Sequence, residues 1–189
     1  MNAPTGPVLL IMGSTRAARL CPAITQWVGE LGQAHTGLDY ETIDLAQWPL
    51  PMDDEPGVPA AGLYTQPHTR AWSAKVQHAA AVVLVTPQYN WGYPAILKNA
   101  IDHLYAEWRD KPALIISYGG HGGAKCAAQL RQVAGAVKMH VLECAPALTL
   151  PDAVIRNGAA LDVPLDFASH ACDVSAALRA LEEYLRHHA

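Results

Sequence analysis

Val8-Leu9-Leu10-Ile11 runs directly into residues 12–19, Met-Gly-Ser-Thr-Arg-Ala-Ala-Arg. Apolar on every residue, the first four read as a strand covered on both faces, as in a parallel sheet. The break into Gly-Ser-Thr-Arg, with a helical pattern beyond it, makes a strand–turn–helix unit. Such a turn can cradle a phosphate. Gly13 lets the backbone approach an anion, Ser14 and Thr15 offer hydroxyls, Arg16 and Arg19 offer charged donors, and the helix start offers free N–H groups. The same residues could form an ordinary strand-to-helix turn with surface arginines, and so short a motif does not choose between the two.

The pattern repeats downstream. Pro22 suits a first helical turn. Ile24, Trp27, Val28 and Leu31 recur at helical spacing, and Gly32 predicts the stop. Residues 38–43 predict a second strand more weakly, and residues 81–86 (AVVLVT) predict the clearest buried one. From Pro94 onward, Ile96, Leu97, Ala100, Ile101 and Leu104 give a helix one apolar face. Residues 113–117 predict the next strand, and Ala127, Leu130, Ala134 and Val137 mark a helix over residues 124–137. A strand follows at 139–142, with an extension through 148–150. Val174, Leu178, Leu181 and Leu185 mark a final amphipathic helix. Residues 45–67 and 151–169 read as irregular. Strand–helix alternation of this kind predicts one α/β domain over residues 1–189. Its architecture is a three-layer sandwich, a five-stranded parallel sheet in the order 2-1-3-4-5 with helices on both faces.

Composition excludes several roles. The 189 residues carry a net charge of −4, with 51% hydrophobic and only 16% charged residues. Lys and Arg do not cluster, so nucleic acid and anionic membranes are poor partners. No apolar run reaches the roughly 18 residues of a membrane span, and the first seven residues lack the positive region of a secretory leader. Cys21, Cys126, Cys144 and Cys172 form no C-x-x-C pair and no zinc spacing, which predicts free buried thiols in a reducing cytoplasm. The nine histidines also lack metal spacing, and His187 and His188 are adjacent; no bound metal is expected.

Ligands of an open parallel sheet bind beyond the carboxyl ends of the strands, at the point where strand order reverses. Three turns converge there: residues 13–19, 87–94 and 118–123. The second, Pro-Gln-Tyr-Asn-Trp-Gly-Tyr-Pro, is stiffened by proline at both ends. It can hold backbone N–H groups in fixed directions and present a flat apolar wall, or be a capped turn with packing aromatics. The third, Tyr-Gly-Gly-His-Gly-Gly, allows a close backbone approach or a tight flexible turn. An anion cradle beside two rigid turns fits a flavin mononucleotide better than a dinucleotide, because the first turn has neither G-x-G-x-x-G nor the G-K-[ST] of a Walker loop.

The chain resembles the NADPH-dependent FMN reductases of the flavodoxin-like fold, a family that includes quinone, azo-compound and chromate reductases. The matching pieces are GSTR at 13–16, Asp44-Leu45 with Pro49-Leu50-Pro51, VTPQYNWGYPAILKNAID at 85–102 and SYGGHGG at 117–123. Together they span about two-thirds of the chain. The resemblance implies that Ser14, Arg16, Arg19, Leu20 and Cys21 hold the FMN phosphate. Pro87, Gln88, Tyr89 and Asn90 would line the isoalloxazine with backbone amides, and Ser117, Tyr118, Gly119 and Gly120 would flank its pyrimidine side. His121 lies nearby as a possible hydrogen-bond donor, and no other catalytic side chain is required. Gln88 stands where the family usually has Glu, which could alter the flavin potential, and Cys21 where it often has Ser or Gly.

The implied activity is ping-pong. NADPH (or NADH) passes hydride to the flavin, which passes it on to free flavin, a quinone or a similar small-molecule acceptor. A homodimer or dimer of dimers is implied too, packed on the helix that holds Lys98 and Asp102, with Tyr64, His68, Trp72 and Trp108 walling the site from that interface. The Lys98–Asp102 spacing equally suits a plain intrahelical ion pair. The competing readings are a non-enzymatic flavodoxin-type electron carrier, which is usually far more acidic, and a flavin-sensing interaction module.

Overall fold

The apolar run at residues 8–11 forms β1 (Val8–Met12), buried at every position. α1 (Cys21–His35) follows with Pro22 in its first turn. It runs through Gly32 instead of stopping there. A Cβ at residue 32 would come within 2.5 Å of the Tyr40 ring, so glycine is there to admit that ring. The helix ends at Thr36, which turns extended and returns both its N–H and its hydroxyl to the Gly32 carbonyl. β2 (Tyr40–Asp44) comes next. The computed structural model describes residues 6–52 and 54–188, so most of the N-terminal stretch read for a leader lies outside it.

The remaining elements are α2 (Pro67–His78), β3 (Ala81–Pro87), α3 (Ala95–Asp102), β4 (Pro112–Gly119), α4 (Ala124–Ala136), β5 (His140–Val141), β6 (Ala147–Thr149), α5 (Asp152–Asn157), α6 (Val163–Asp166) and α7 (Ala171–His188). α2 had no predicted counterpart. Its buried stripe is Thr69, Trp72, Ser73 and Val76, half of it polar, which hides the helical period. The stretch 151–169, read as irregular, holds the short helices α5 and α6.

The sheet runs β2-β1-β3-β4-β5, as expected, and its paired strands are all parallel. The difference lies at the fifth position. β5 and β6 both pair in parallel with β4, at Pro112–Ala113 and at Ser117–Gly119. Six residue steps from Val141 to Ala147 face four from Ala113 to Ser117, so the expected continuous strand is split by a bulge that ends at Pro146. Proline has no N–H for a sheet ladder, although its carbonyl still accepts the Ser117 N–H.

Side chains alternate across the central strands, and this makes the three layers. Leu10, Val83, Val85, Leu114 and Ile116 pack against Ile24 and Val28 of α1 and Leu178 and Leu181 of α7. Leu9, Ile11, Val82, Leu84 and Ile115 pack on the opposite face against α2, α3 and α4, through Val76, Leu97, Ile101 and Leu130. Each such side chain contributes about 1.5–3 kcal/mol of burial. Trp72 and Trp108 belong to this second core and are fully buried, so they do not wall a site. Their indole N–H groups donate to Ala100 O and Ile101 O of α3. An aromatic pattern alone cannot separate core from pocket wall.

Candidate functional site

The register sets Met12 beside Val85, and Pro87 beside Tyr118. The turns that leave β1, β3 and β4 therefore leave one edge of the sheet together. They enclose a cleft of about 230 Å³. Arg16, Ala18, Arg19 and Leu20 line it from the first turn, Pro87, Gln88 and Tyr89 from the second, and Tyr118, Gly119 and Gly120 from the third. Leu150 and Ile155 close it from beyond β6. Sequence reasoning missed those two because they come from the segment with no clear pattern.

The first turn gathers positive charge. Arg19 Nη2 meets Asp44 Oδ2, at the end of β2, at 2.5 Å. Its Nε is buried and has no hydrogen-bond partner among the described residues. α1 starts after Leu20 with no side-chain cap, so the backbone N–H groups of its first turn lack helical acceptors and carry the positive end of the helix dipole. Gly13 plays another part. A Cβ there would lie 3.1 Å from the Val85 carbonyl oxygen and 3.2 Å from the Thr86 Cβ, so its bareness lets β1 pass β3.

Ser14 and Cys21 do not line the cleft. Ser14 is fully buried, with its Oγ 2.8 Å from the Tyr89 hydroxyl. The Arg16 guanidinium lies over the same ring, 4.0 Å from its centroid. The Cys21 thiol donates to Val85 O. Burial pushes its pKa up against hydrogen bonds from Tyr118 and Thr25, so it stays a neutral thiol. Burial likewise keeps the Tyr118 phenol protonated.

The second turn is tighter than expected. The Gln88 N–H donates to Tyr118 O at 2.8 Å, and Tyr89 and Gly92 exchange N–H···O bonds of 2.9 Å. Two of the amides expected to face a ring are therefore spent inside the fold. Asn90 and Trp91 between them have φ of 48° and 72°, the signature of a I′-class turn. Their N–H groups have no backbone acceptor among the described residues. Asparagine tolerates this conformation, whereas a bulky tryptophan is strained in it. Trp91 is 62% exposed, and Lys125 Nζ lies 3.1 Å from its ring centroid. The Gln88 side chain turns away to accept the Cys126 N–H in the first turn of α4 at 3.1 Å.

The glycines of the third turn divide. Gly122 and Gly123 have φ of 73° and 85°, and a Cβ on either would strike Ala147 or Ser117, so backbone geometry explains them. Gly119 and Gly120 face the cleft. Ser117 is buried, and its hydroxyl donates to Gly122 O at 2.9 Å, bracing the turn from behind. His121 is exposed and lies outside the lining, as does Asn90. Among the described residues the lining holds no carboxylate, histidine or lysine. Its walls offer two guanidinium groups, the side chains of Gln88, Tyr89 and Tyr118, and backbone, groups that can hold an anionic ligand.

A model of the NADPH-dependent FMN reductase family matches residues 7–149. The chain is 57% identical over 168 residues to an NAD(P)H-dependent FMN reductase of Schizosaccharomyces pombe, covering 88% of this chain and 84% of that protein. It is 47% identical to an NAD(P)H-dependent FMN reductase of Saccharomyces cerevisiae, covering 70% of this chain and 75% of that one. Among solved structures, the flavoenzyme NAD(P)H:(acceptor) oxidoreductase of Paracoccus denitrificans shares the fold. Its TM-score is 0.73 at 21% identity, over 97% of this chain and 98% of that one.

Proposed function

Because the chain belongs to the NADPH-dependent FMN reductase family, we propose that it is an FMN-dependent NAD(P)H oxidoreductase. In this reading it passes reducing equivalents from NADPH or NADH to free flavin, a quinone or a similar small acceptor by a ping-pong mechanism. The observation that supports it is one cleft lined both by Arg16 and Arg19 and by the turns that carry Pro87–Tyr89 and Tyr118–Gly120. The residues fit FMN. The unpartnered Arg19 Nε, the Arg16 guanidinium and the N–H groups at Leu20 and Cys21 suit a phosphate.

Pro87, Gln88, Tyr89 and the Asn90 amide would meet one side of the ring, and Tyr118, Gly119 and Gly120 the other. Ser14 and Ser117 would act at one remove, through Tyr89 and through Gly122. Bound FMN would supply the redox chemistry, taking hydride from the nicotinamide and giving it to the acceptor. The protein's part is to hold the phosphate, keep the ring in one plane and leave its outer face open for the partner to stack. His121, exposed on the turn that carries Gly119 and Gly120, could donate a hydrogen bond to the flavin or the substrate.

We also read the protein as a homodimer or dimer of dimers in the cytoplasm. Met52, Val58 and Leu63 are each more than 70% exposed on the loop after β2, an apolar surface that suits burial by a second copy. The cysteines are free, though Cys172 is exposed, contrary to the expectation of burial. No described helix is long and apolar enough to cross a membrane.

The test is a visible spectrum with added FMN, and NADPH and NADH oxidation with and without FMN and menadione. Turnover that depends on FMN, with parallel double-reciprocal lines, is expected. A protein with no FMN spectral change and no turnover would overturn the reading. Tight FMN binding without turnover would make it a carrier or sensor instead. Sedimentation as an active monomer would remove the dimer.

A further inference from the structure

Away from the cleft, three segments meet at Asp54, His68 and His103. Asp54 is in the loop after β2, His68 is in the first turn of α2, and His103 caps the end of α3. One ligand atom from each lies within 4.8 Å of the other two. His68 Nε2 and Asp54 Oδ1 are 2.8 Å apart. The two imidazoles stand edge to face, with centroids 5.9 Å apart. His103 is buried and held at both nitrogens, with Nε2 donating to Pro51 O at 2.8 Å and Nδ1 3.1 Å from the Thr69 hydroxyl. Whichever nitrogen of His103 turns to a ligand, the other keeps a partner that fixes the ring. Backbone carbonyls and hydroxyls orient metal-bound histidines in this way.

We propose that Asp54, His68 and His103 bind a borderline divalent cation, with zinc the best match, through one carboxylate oxygen and two imidazole nitrogens. Two imidazoles disfavour magnesium and calcium, which take oxygen ligands. Tetrahedral zinc, with ligands at about 2.0–2.2 Å, needs its donors about 3.3 Å apart, so the Asp54–His68 pair opens by only about half an ångström. Asp54 and His68 keep some solvent exposure, which leaves room for water to complete the coordination. A cation there would tie the loop after β2 to α2 and α3, adding to the bonds that Asn99 already makes to Leu50 O and Pro51 O.

The experiment titrates chelator-treated full-length protein with zinc alone, by calorimetry and thermal melting. One equivalent and a raised melting temperature are expected. Affinity should fall at least about tenfold in Asp54→Asn and in His68→Ala, and hold in the His187→Ala, His188→Ala double variant. Absence of saturable binding overturns the proposal, as does zinc held equally well by Asp54→Asn and His68→Ala, or lost with His187 and His188.

Discussion

The guanidinium of Arg19 and the carboxylate of Asp44 lie 2.5 Å apart, joining the turn after β1 to the end of β2. Asp44 Oδ1 also accepts the Ala46 N–H, so the carboxylate itself is held in place. The pair fixes Arg19 in the lining of the cleft. Arg19→Ala should raise the FMN dissociation constant about tenfold or more, equivalent to about 1.4 kcal/mol. Asp44→Asn, which keeps the arginine but loosens it, should raise it only a few-fold. Fluorescence titration with FMN checks both.

Tyr89→Phe removes the only hydrogen-bond partner that the fully buried Ser14 hydroxyl has among the described residues. An orphaned buried hydroxyl costs about 1–3 kcal/mol. Urea unfolding should show that loss, and the double variant Ser14→Ala, Tyr89→Phe should recover much of it because no polar group is then stranded.

Gln88 acts on α4 as well as on the cleft. Gln88→Ala should cost about 1 kcal/mol through the lost bond to the Cys126 N–H. Gln88→Glu keeps that bond and adds a negative charge at a helix start, so it should stabilise by about 0.3–1 kcal/mol. Urea midpoints of the three proteins, read at constant slope, decide.

Burial alone would raise the Glu55 carboxyl pKa. The N–H groups of Thr65 and Gln66 and the Thr65 hydroxyl outweigh that and hold it at about 2 against an ordinary 4.5. The folded value is the depressed one. Its stabilisation is therefore complete above pH 4.5 and lost as pH falls toward 2. The melting-temperature gap between the wild type and Glu55→Gln should be flat from pH 5 to 7 and close progressively below pH 4.5. A gap that stays constant down to pH 2.5 would contradict this.

The sheet order and the three converging turns were legible because a parallel sheet covered on both faces writes uninterrupted apolar runs, and its strands all end on one edge. What stayed hidden was tertiary. The buried face of α2 is half Thr and Ser, so its period is weak. Leu150 and Ile155 reach the cleft from a stretch whose short helices carry no apolar repeat. The third turn reads equally as a close approach to a ligand or as a tight turn, and Gly122 and Gly123 turn out to serve positive φ. Spacing along the chain could not show that Asp54, His68 and His103 meet, since each comes from a different segment.

The tryptophans also sort themselves by depth. Trp72 and Trp108 are sealed in the layer against α3, with the Trp48 ring tilted against Trp72 at 5.3 Å between centroids, and Trp27 is buried on the opposite face. Trp91 alone stands in solvent, on the turn after β3 whose first residues line the cleft. The chain thus carries two optical reporters that separate by wavelength. Blue-shifted emission follows the integrity of the interior, and the red edge follows whatever settles against the turn that carries Trp91, with no label attached.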